Sequence, residues 1–491
     1  MFVILRAIYR LTLHPLAKFP GPFWARITSI YGMSYDLTND RGTNPKWIES
    51  ANLGEGPIIR THPHVLHVRD LDSYNQIFRA MTPFDKHRDQ YQAKFTEGFF
   101  NIGSSKVVKP YKDVYQPYFS KSSITRMEPL IHETLNTFLG KLDSASKEDG
   151  KVVDLTFGFR CLTSDTIMRY CFADEGFQTL ESKEFRSPLI VKLEQFFDTI
   201  MPIIYFPKTM TWLTNQLGKL SDATQDKVAP GLAATNYIMD ECKKKITTIL
   251  ENGGSQSTFP TIFDSWADQS KRKTEWIPSI YQLTCDAFTM FAAGTDTTAH
   301  TLTIGTWYLM KNPTMLAKLR NELRTAIPNP DSNSLKPAWE LEKLPYLNGI
   351  VKESIRLGYG VPGRLARKVP AGGAIFHDQR APAGYAICST AYSIHMNESY
   401  FANAPEFQPE RWLGDDKLEL DKKLVSFSRG TRSCLGMNMA YAEMYLTFAY
   451  LFSRFDLKPT RTVAEDIEGW KDCFLPRVRK HLEVTISPAT D

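Results

Sequence analysis

One cysteine stands in a setting that none of the others shares. In Phe427-Ser-Arg-Gly430-Thr-Arg432-Ser-Cys434-Leu-Gly436 it follows a glycine turn and directly precedes a helix-forming run, Met437 to Leu446. A thiol at a helix N-terminus faces backbone N–H dipoles that stabilise the thiolate, the form that acts as nucleophile and metal ligand. Gly430 permits a tight backbone path, and Gly436 permits close approach of the chain to a flat group. Phe427 can shield the sulfur from water. The plainer reading of Cys434 is a buried structural thiol. The remaining cysteines, at 161, 171, 242, 285, 388 and 473, are far apart and form no CxxC pair. That spacing argues against a disulfide scaffold or a zinc site and reads as free thiols in a reducing compartment.

Two other clusters carry chemistry at helical spacing. Ala293-Gly-Thr-Asp-Thr-Thr298 places small and polar residues in the middle of an apolar stretch. Hydroxyl groups compete there for backbone hydrogen bonds, so a local helix distortion is expected, with a plain kink as the bland alternative. Glu353 and Arg356 in Lys352-Glu-Ser-Ile-Arg356 are three apart and share a helical face. By itself that pair would be an ordinary surface ion pair worth a few tenths of a kcal/mol.

Taken together the clusters resemble one family. The cysteine segment fills all five fixed positions of FxxGxRxCxG, the signature of the cytochrome P-450 superfamily. The Glu353-Arg356 pair followed by Pro409-Glu-Arg411 is similar to the family's ExxR and PER elements, and Ala293 to Thr297 to its AGxDT motif. The resemblance implies haem b held between a long distal helix and the loop and helix that carry Cys434. Cys434 would be the axial iron ligand, a strong electron donor that favours O–O cleavage. It further implies a buried Glu353, Arg356, Arg411 network that locks the cysteine segment, and catalytic roles for Thr297 as the hydroxyl beside dioxygen and Asp296 as the acid connected to solvent. Arg432 and Arg367 match positions that bind haem propionates.

The chain departs from the pattern on an early helix. Where the family offers a Trp or His and then an Arg, this sequence has Val108 and Lys112. Lys112 supplies charge without the guanidinium fork, and Val108 supplies none. Either Lys112 still serves a propionate, or it is a solvated lysine and another residue such as Tyr111 substitutes. Substrate contacts are expected from Phe288, Phe291 and Ala292 on the distal helix, from Val361, and from Phe474 in the C-terminal loop; Arg364 lies near that apolar set.

The resemblance extends from Phe19-Pro-Gly-Pro22, like the family's proline-rich hinge, to the last strands, and Ser354 to Arg364 and Cys434 to Glu443 look like fungal secondary-metabolite enzymes. It implies insertion of one oxygen atom from O2 into a lipophilic metabolite, such as a terpenoid. No glycine-rich nucleotide fingerprint opens a βαβ unit, so electrons from NADPH would arrive through a separate reductase. Lys422, Lys423 and Arg429 offer a basic face for it, or are ordinary solvated charges. Two rivals remain at this stage: a haem-thiolate isomerase or dehydratase, which would need no NADPH, and a haem-binding sensor without turnover.

The elements that must position these residues are mainly helical, with a small β part: short alternating runs at Pro57 to Thr61 and Val65 to Arg69, then helix from about Leu155 to Leu357, then strand-like Ala374 to Phe376 and Tyr385 to Thr390. The longest helix is expected from about Pro278 to Met310, closed by Asn312-Pro313. Hydrophobic residues make up 42% of 491, enough for a sizeable core and against wholesale disorder. A net charge of +5 without a long basic run gives no support to nucleic-acid binding. The first residues, Met1-Phe-Val-Ile-Leu-Arg6-Ala-Ile-Tyr-Arg10, are too few and too charged to span a bilayer, and no cleavable signal pattern follows. On a helix Arg6 and Arg10 share a face and leave Phe2, Leu5 and Ile8 free for a membrane surface. Residues 1–22 are therefore expected to form an interfacial anchor and hinge, and 23–491 one haem-thiolate domain on the cytosolic face of the endoplasmic reticulum. Asn397-Glu-Ser399 fits a glycosylation acceptor that such a location would leave unused.

Overall fold

Helix boundaries follow local chemistry in the computed structural model, which describes residues 1–37, 44–49, 56–80, 82–87, 91, 97–255, 257, 259–267, 277–331 and 334–489. The helices that build the site are, in chain order, α1 (Phe2–Thr12), α2 (Ser105–Tyr115), α3 (Lys121–Ser146), α4 (Leu155–Phe172), α5 (Pro188–Asp198), α6 (Ile200–Tyr205), α7 (Pro230–Glu251), α8 (Ile280–Lys311), α9 (Pro345–Gly358) and α10 (Met437–Arg454). A reciprocal capping box between Ser279 and Gln282 starts α8, and Asn312 ends it while capping the helix that begins at Pro313. Those limits lie within two residues of the expected ones.

α8 packs most extensively on α4, and every residue of α4 except Arg169 is buried. Gly294 makes this contact close. A Cβ there would lie 2.9 Å from Cγ1 of Ile167 on α4, so the position needs a residue without a side chain. The expected distortion around Gly294 is absent: α8 is helical from Ile280 to Lys311. The threonine hydroxyls turn back onto the helix, Thr297 to the Ala293 carbonyl at 2.8 Å and Thr301 to the Thr297 carbonyl at 3.0 Å, while the helical hydrogen-bond pattern continues.

The β part is small and dispersed. β1 (Ile58–His62), β2 (Val65–Val68), β7 (Ala386–Cys388) and β4 (Arg367–Lys368) form one sheet in that order, parallel only between β2 and β7. β3 (Val152–Asp154), β11 (Glu483–Pro488) and β8 (Phe455–Pro459) form a second, and β5 (Ala374–Phe376) with β6 (Gln379–Ala381) and β9 (Lys471–Cys473) with β10 (Leu475–Arg477) form two hairpins. Arg367 sits on the edge of the first sheet, where an isolated bridge pairs it with Lys86. That edge brings two cations to the same place.

Candidate active site

A cavity of about 370 Å³ lies between α8 and the cysteine segment. Cys434, Phe427, Arg432 and Gly436 line one side, and Ala293, Gly294, Thr297 and Thr298 line the α8 side. The Cys434 sulfur is accessible because it opens into this interior space, although it lies deep in the protein, and it is the one cysteine of seven that is not buried. Burial pushes its thiol up, while the Gly436 amide and the Lys112 charge act in the opposite direction. Gly430 adopts φ +68°, and a Cβ there would meet the Phe78 carbonyl oxygen at 2.3 Å. Glycine is thus dictated by backbone shape at the turn that aims the loop.

The mounting of that loop starts at a fully buried pair. Arg356 donates to both carboxylate oxygens of Glu353, at 2.9 and 2.6 Å, and to the carbonyls of His395, Ala404 and Glu406. Glu353 also accepts from Arg411 Nε at 3.0 Å and Trp412 Nε1 at 2.9 Å. This buries a charge with every strong acceptor site filled, the condition under which an ion pair holds its geometry in a dry interior. The link to the cysteine loop is His395. Its Nδ1 lies 2.9 Å from the Arg356 carbonyl and its Nε2 2.9 Å from the Val425 amide, two residues before Phe427. These partners fix the tautomer, with Nδ1–H donating to the carbonyl and Nε2 accepting from the amide. Burial and then Arg356 depress the imidazole pKa to about 3, so the ring is neutral. Nothing in the sequence around His395 marks it, since its partners lie 30 and 39 positions away.

At the end of the cavity near β4, positive charge is concentrated. Arg367, Arg432 and Lys86 line the wall, and Arg367 Nη1 and Arg432 Nε are buried without hydrogen-bond partners. Lys86 is buried too, its ammonium donating to the Phe100 carbonyl at 2.5 Å and lying over the Phe100 and Tyr91 rings. Burial first, then Arg367 and Arg432, drive its pKa well below the usual lysine range. Two crowded guanidinium groups with orphaned donors, beside a buried lysine, call for anionic groups. Haem carboxylates fit that requirement, and the Cys434 sulfur on the same cavity would hold the iron. When bound, such a group supplies dioxygen activation with electron donation from the thiolate.

Lys112 does something else as well. It lines the cavity, and its ammonium donates to the Thr431 and Ser433 carbonyls at 2.8 and 3.4 Å, tethering the cysteine loop itself. Val108 is buried on the cavity wall, whereas the Tyr111 hydroxyl accepts from Gln282 at the start of α8 and does not line the cavity. A further cation on the cavity wall, Lys86, comes from a different part of the chain.

Thr297 and Asp296 face apart. Thr297 is on the cavity wall, its hydroxyl proton committed to Ala293 O, which leaves lone pairs turned outward to accept a proton or hydrogen bond. Asp296 points away from the cavity into a buried ionic chain. Its Oδ1 lies 2.7 Å from Arg160 Nε, close but misaligned for a full hydrogen bond, and Arg160 leads to Glu194, which also pairs with Arg477 and His481. Burial raises the Asp296 pKa despite Arg160 and Arg477. The chain ends near the surface at Asp198, paired with Arg477.

Of the expected substrate contacts, Phe288, Ala292, Val361 and Phe474 line the cavity. Phe291 does not. It is fully buried with its ring edge-on to Phe177 at 5.2 Å, because it sits about 200° around the helix from the Thr289-Ala293-Thr297 line. The wall is completed by residues the sequence did not single out, among them Phe99, Phe196, Phe197 and Ile203. Arg364 bonds to Tyr205 at 2.7 Å and lies against His62, with Tyr205 donating to Asp36 at 2.6 Å, so it ties α6 to β1 beside the cavity.

A family model for cytochrome P-450 matches residues 59–484. The chain belongs to the cytochrome P-450 family. Among curated relatives it is 32% identical to cytochrome P-450 monooxygenase MO6277 of Ascocoryne sarcoides, over 96% of this chain and 93% of that one. It is likewise 32% identical to the monooxygenases pbrB of Penicillium brasilianum (95% and 91% covered) and astB of Aspergillus terreus (95% and 90%). The haem domain of cytochrome P-450DA superposes with a TM-score of 0.70 at 16% identity, covering 87% of this chain and 88% of that one, which establishes the shared fold. This cytochrome P-450 is therefore a monooxygenase related to fungal cytochrome P-450 monooxygenases, mainly α with a small β region. The rival readings of isomerase and sensor give way to that assignment.

Proposed function

We propose that this cytochrome P-450 oxidises a lipophilic secondary metabolite, a terpenoid by the likeness of its motifs, inserting one oxygen atom from O2 with electrons from NADPH through a separate reductase. The observation that carries the substrate class is the apolar part of the cavity wall. Phe99, Phe100, Phe196, Phe197, Phe288 and Phe474 leave little there but aromatic and aliphatic surface, which selects by shape and apolar burial. The Thr297 hydroxyl would hold a proton at the oxygen side of the cavity, and the Asp296 ionic chain would restore it from the surface.

Electrons would enter from the cysteine side. Lys422 is exposed there and paired with Glu419 at 2.6 Å, whereas Arg429 is spent on the Asn75 side chain and the Lys422 carbonyl. Lys422 and Lys423 would then serve as docking cations for the reductase. Membrane association at the endoplasmic reticulum rests on α1, whose Phe2, Val3, Ile4, Leu5 and Ile8 are exposed beside Phe23 and Trp24, while Arg10 turns inward to the Ile27 carbonyl. Among the described residues no helix is long and apolar enough to cross a membrane, so contact would be interfacial.

The test is turnover of terpenoid precursors by the reductase-coupled holoenzyme under 18O2, with one labelled oxygen expected in the product. Thr297→Ala should divert electrons to peroxide and reduce product. Unlabelled product, or full coupling in the variant, would refute the assignment.

A further inference from the structure

Part of the cavity wall is supported by neither helix nor strand. Residues 98–103 run as turns and irregular chain, and Phe99 and Phe100 within them line the cavity. The segment closes one turn of its own, the Asn101 amide donating to the Gly98 carbonyl at 2.9 Å. Its other backbone bonds go to distant parts of the chain. Lys86 donates to the Phe100 carbonyl at 2.5 Å, and Arg432 donates to the Ile102 and Gly103 carbonyls at 2.6 and 3.0 Å. Those anchors belong to the cationic end of the cavity. At the other end, Oδ1 of Asp286 on α8 accepts from the Phe99 amide at 2.7 Å.

Asp286 is fully buried and is itself held in place. Its Oδ2 accepts from the Tyr115 hydroxyl at 2.8 Å, and that hydroxyl accepts from the Trp266 indole at 3.1 Å. The indole can only donate, so the direction of each bond is set. Burial raises the Asp286 carboxyl to about 7 against its two donors, and among the described residues no cation assists them. An asparagine would offer one oxygen and turn an N–H towards the second donor, whereas a carboxylate has an acceptor for each. The segment also lies tight against α8. A Cβ on Gly98 would stand 3.2 Å from the Cys285 Cβ and 3.3 Å from Asp286 Oδ1. The Phe99 ring tilts on Tyr115 at 5.5 Å, and Phe100 stands edge-on to Phe474 at 6.0 Å, so the Phe99 amide sets the place of neighbouring rings on the wall.

We propose that Asp286 is a specificity-determining positioning residue: by holding the Phe99 amide on α8 it fixes Phe99 and Phe100 on the cavity wall and so sets which apolar shapes the cavity accepts. Asp286 does not line the cavity and touches no substrate; it acts through the backbone of its neighbour. The proposal rests on the selection by shape and apolar burial proposed above.

The experiment measures binding of imidazole and of 1-dodecylimidazole to the holoprotein by the shift of the haem absorption band. Both bind iron through nitrogen, and they differ in the alkyl chain that must lie along the wall. In Asp286→Ala with an intact reduced-CO band, the preference for the dodecyl compound should fall about tenfold while imidazole affinity stays as in wild type. Hydrogen–deuterium exchange of the peptide spanning residues 98–103 should be faster in that variant. Asp286→Asn, which keeps one oxygen for the Phe99 amide, should recover part of the preference, and Tyr115→Phe, which leaves that bond in place, should change it least. An unchanged preference in Asp286→Ala, or an equal loss of affinity for both compounds, would overturn the proposal. Where that variant binds no haem, Gly98→Val decides, since its side chain pushes the same segment off α8: a lowered preference is expected, and a wild-type preference overturns the proposal. A holoprotein that shows the dodecyl preference but oxidises no terpenoid precursor would instead refute the substrate reading and leave the role of Asp286 standing.

Discussion

Replacing His395 by Phe separates the mounting of the cysteine loop from its chemistry. The imidazole is fully buried and satisfies two backbone groups, the Arg356 carbonyl and the Val425 amide. Phe keeps the volume and removes both partners, and each buried group left unpaired costs about 1–3 kcal/mol. The sum, about 2–6 kcal/mol, is a large fraction of the ~5–15 kcal/mol that holds a typical native protein together. His395→Gln restores one acceptor for Val425 and should lose about half as much. The assay is denaturant unfolding of the holoprotein, together with haem content per chain and the reduced-CO band. The pH dependence supplies a second reading. A pKa of about 3 in the fold against 6.5 for free imidazole means that the unfolded chain binds the proton first. The His395 contribution is therefore fully present above pH 6.5 and is lost as pH falls toward 3, by roughly 1.36 kcal/mol per unit, or about 2 kcal/mol at pH 5. The stability gap between wild type and His395→Phe should narrow by that amount between pH 7.5 and pH 5. Wild-type haem content and stability in the Phe variant, or a gap that does not change with acid, would refute the link from the Glu353-Arg356 pair through His395 to Cys434.

The cation cluster predicts that Lys86→Met weakens haem retention by about 10- to 100-fold, the value of a lost charge-assisted bond, measured by haem transfer to an acceptor protein. Lys112→Met should retain haem better but shift the thiolate spectrum, since its carbonyl partners belong to the cysteine loop; equal haem loss in both would merge the two roles. Gly294→Ala should lower stability by about 1–3 kcal/mol through overpacking on Ile167, and Ile167→Ala in the same chain should recover part of it in thermal melts. Substituting Phe2, Leu5 and Ile8 with Ser should abolish co-sedimentation with anionic vesicles while leaving the CO spectrum unchanged, and undiminished binding would place the membrane contact elsewhere.

Much of this molecule was legible where function depends on neighbours in sequence. The cysteine signature, the limits of α8 and the Glu353-Arg356-Arg411 network all lie in short motifs, and the structure joins the last three residues in one cluster and places Cys434 on the cavity that α8 lines. Strands were visible wherever alternation was clear: Val65–Val68 and Ala374–Phe376 fall inside the expected runs. What escaped are residues that reach the site from far along the chain. Lys86 arrives on a bridge to Arg367, and His395 joins two segments; neither has a local pattern, because their partners are fixed only by tertiary packing.

The two acids of α8 show the same principle from the other side. Asp296 and Thr297 are adjacent in sequence, and adjacency invites the view that they work side by side. A helix turns about 100° per residue, so adjacent side chains diverge. Thr297 faces the cavity, and Asp296 faces Arg160 behind it. Asp286, ten residues earlier on the same helix, also stands off the wall and reaches the cavity through the Phe99 amide that it holds. Ten residues are about 15 Å along a helix axis, and the partners of the two acids are different. Effects at sites so far apart add to within about 0.5 kcal/mol. If the ionic chain restores protons, Asp296→Asn should lower coupling, and the double variant with Asp286→Ala should combine that loss with the weakened alkyl-chain preference, each as large as in its single variant. A double variant in which either loss departs from its single variant by more than about threefold would mean that α8 transmits between its two ends, and that the Phe99 anchor and the ionic chain work as one device.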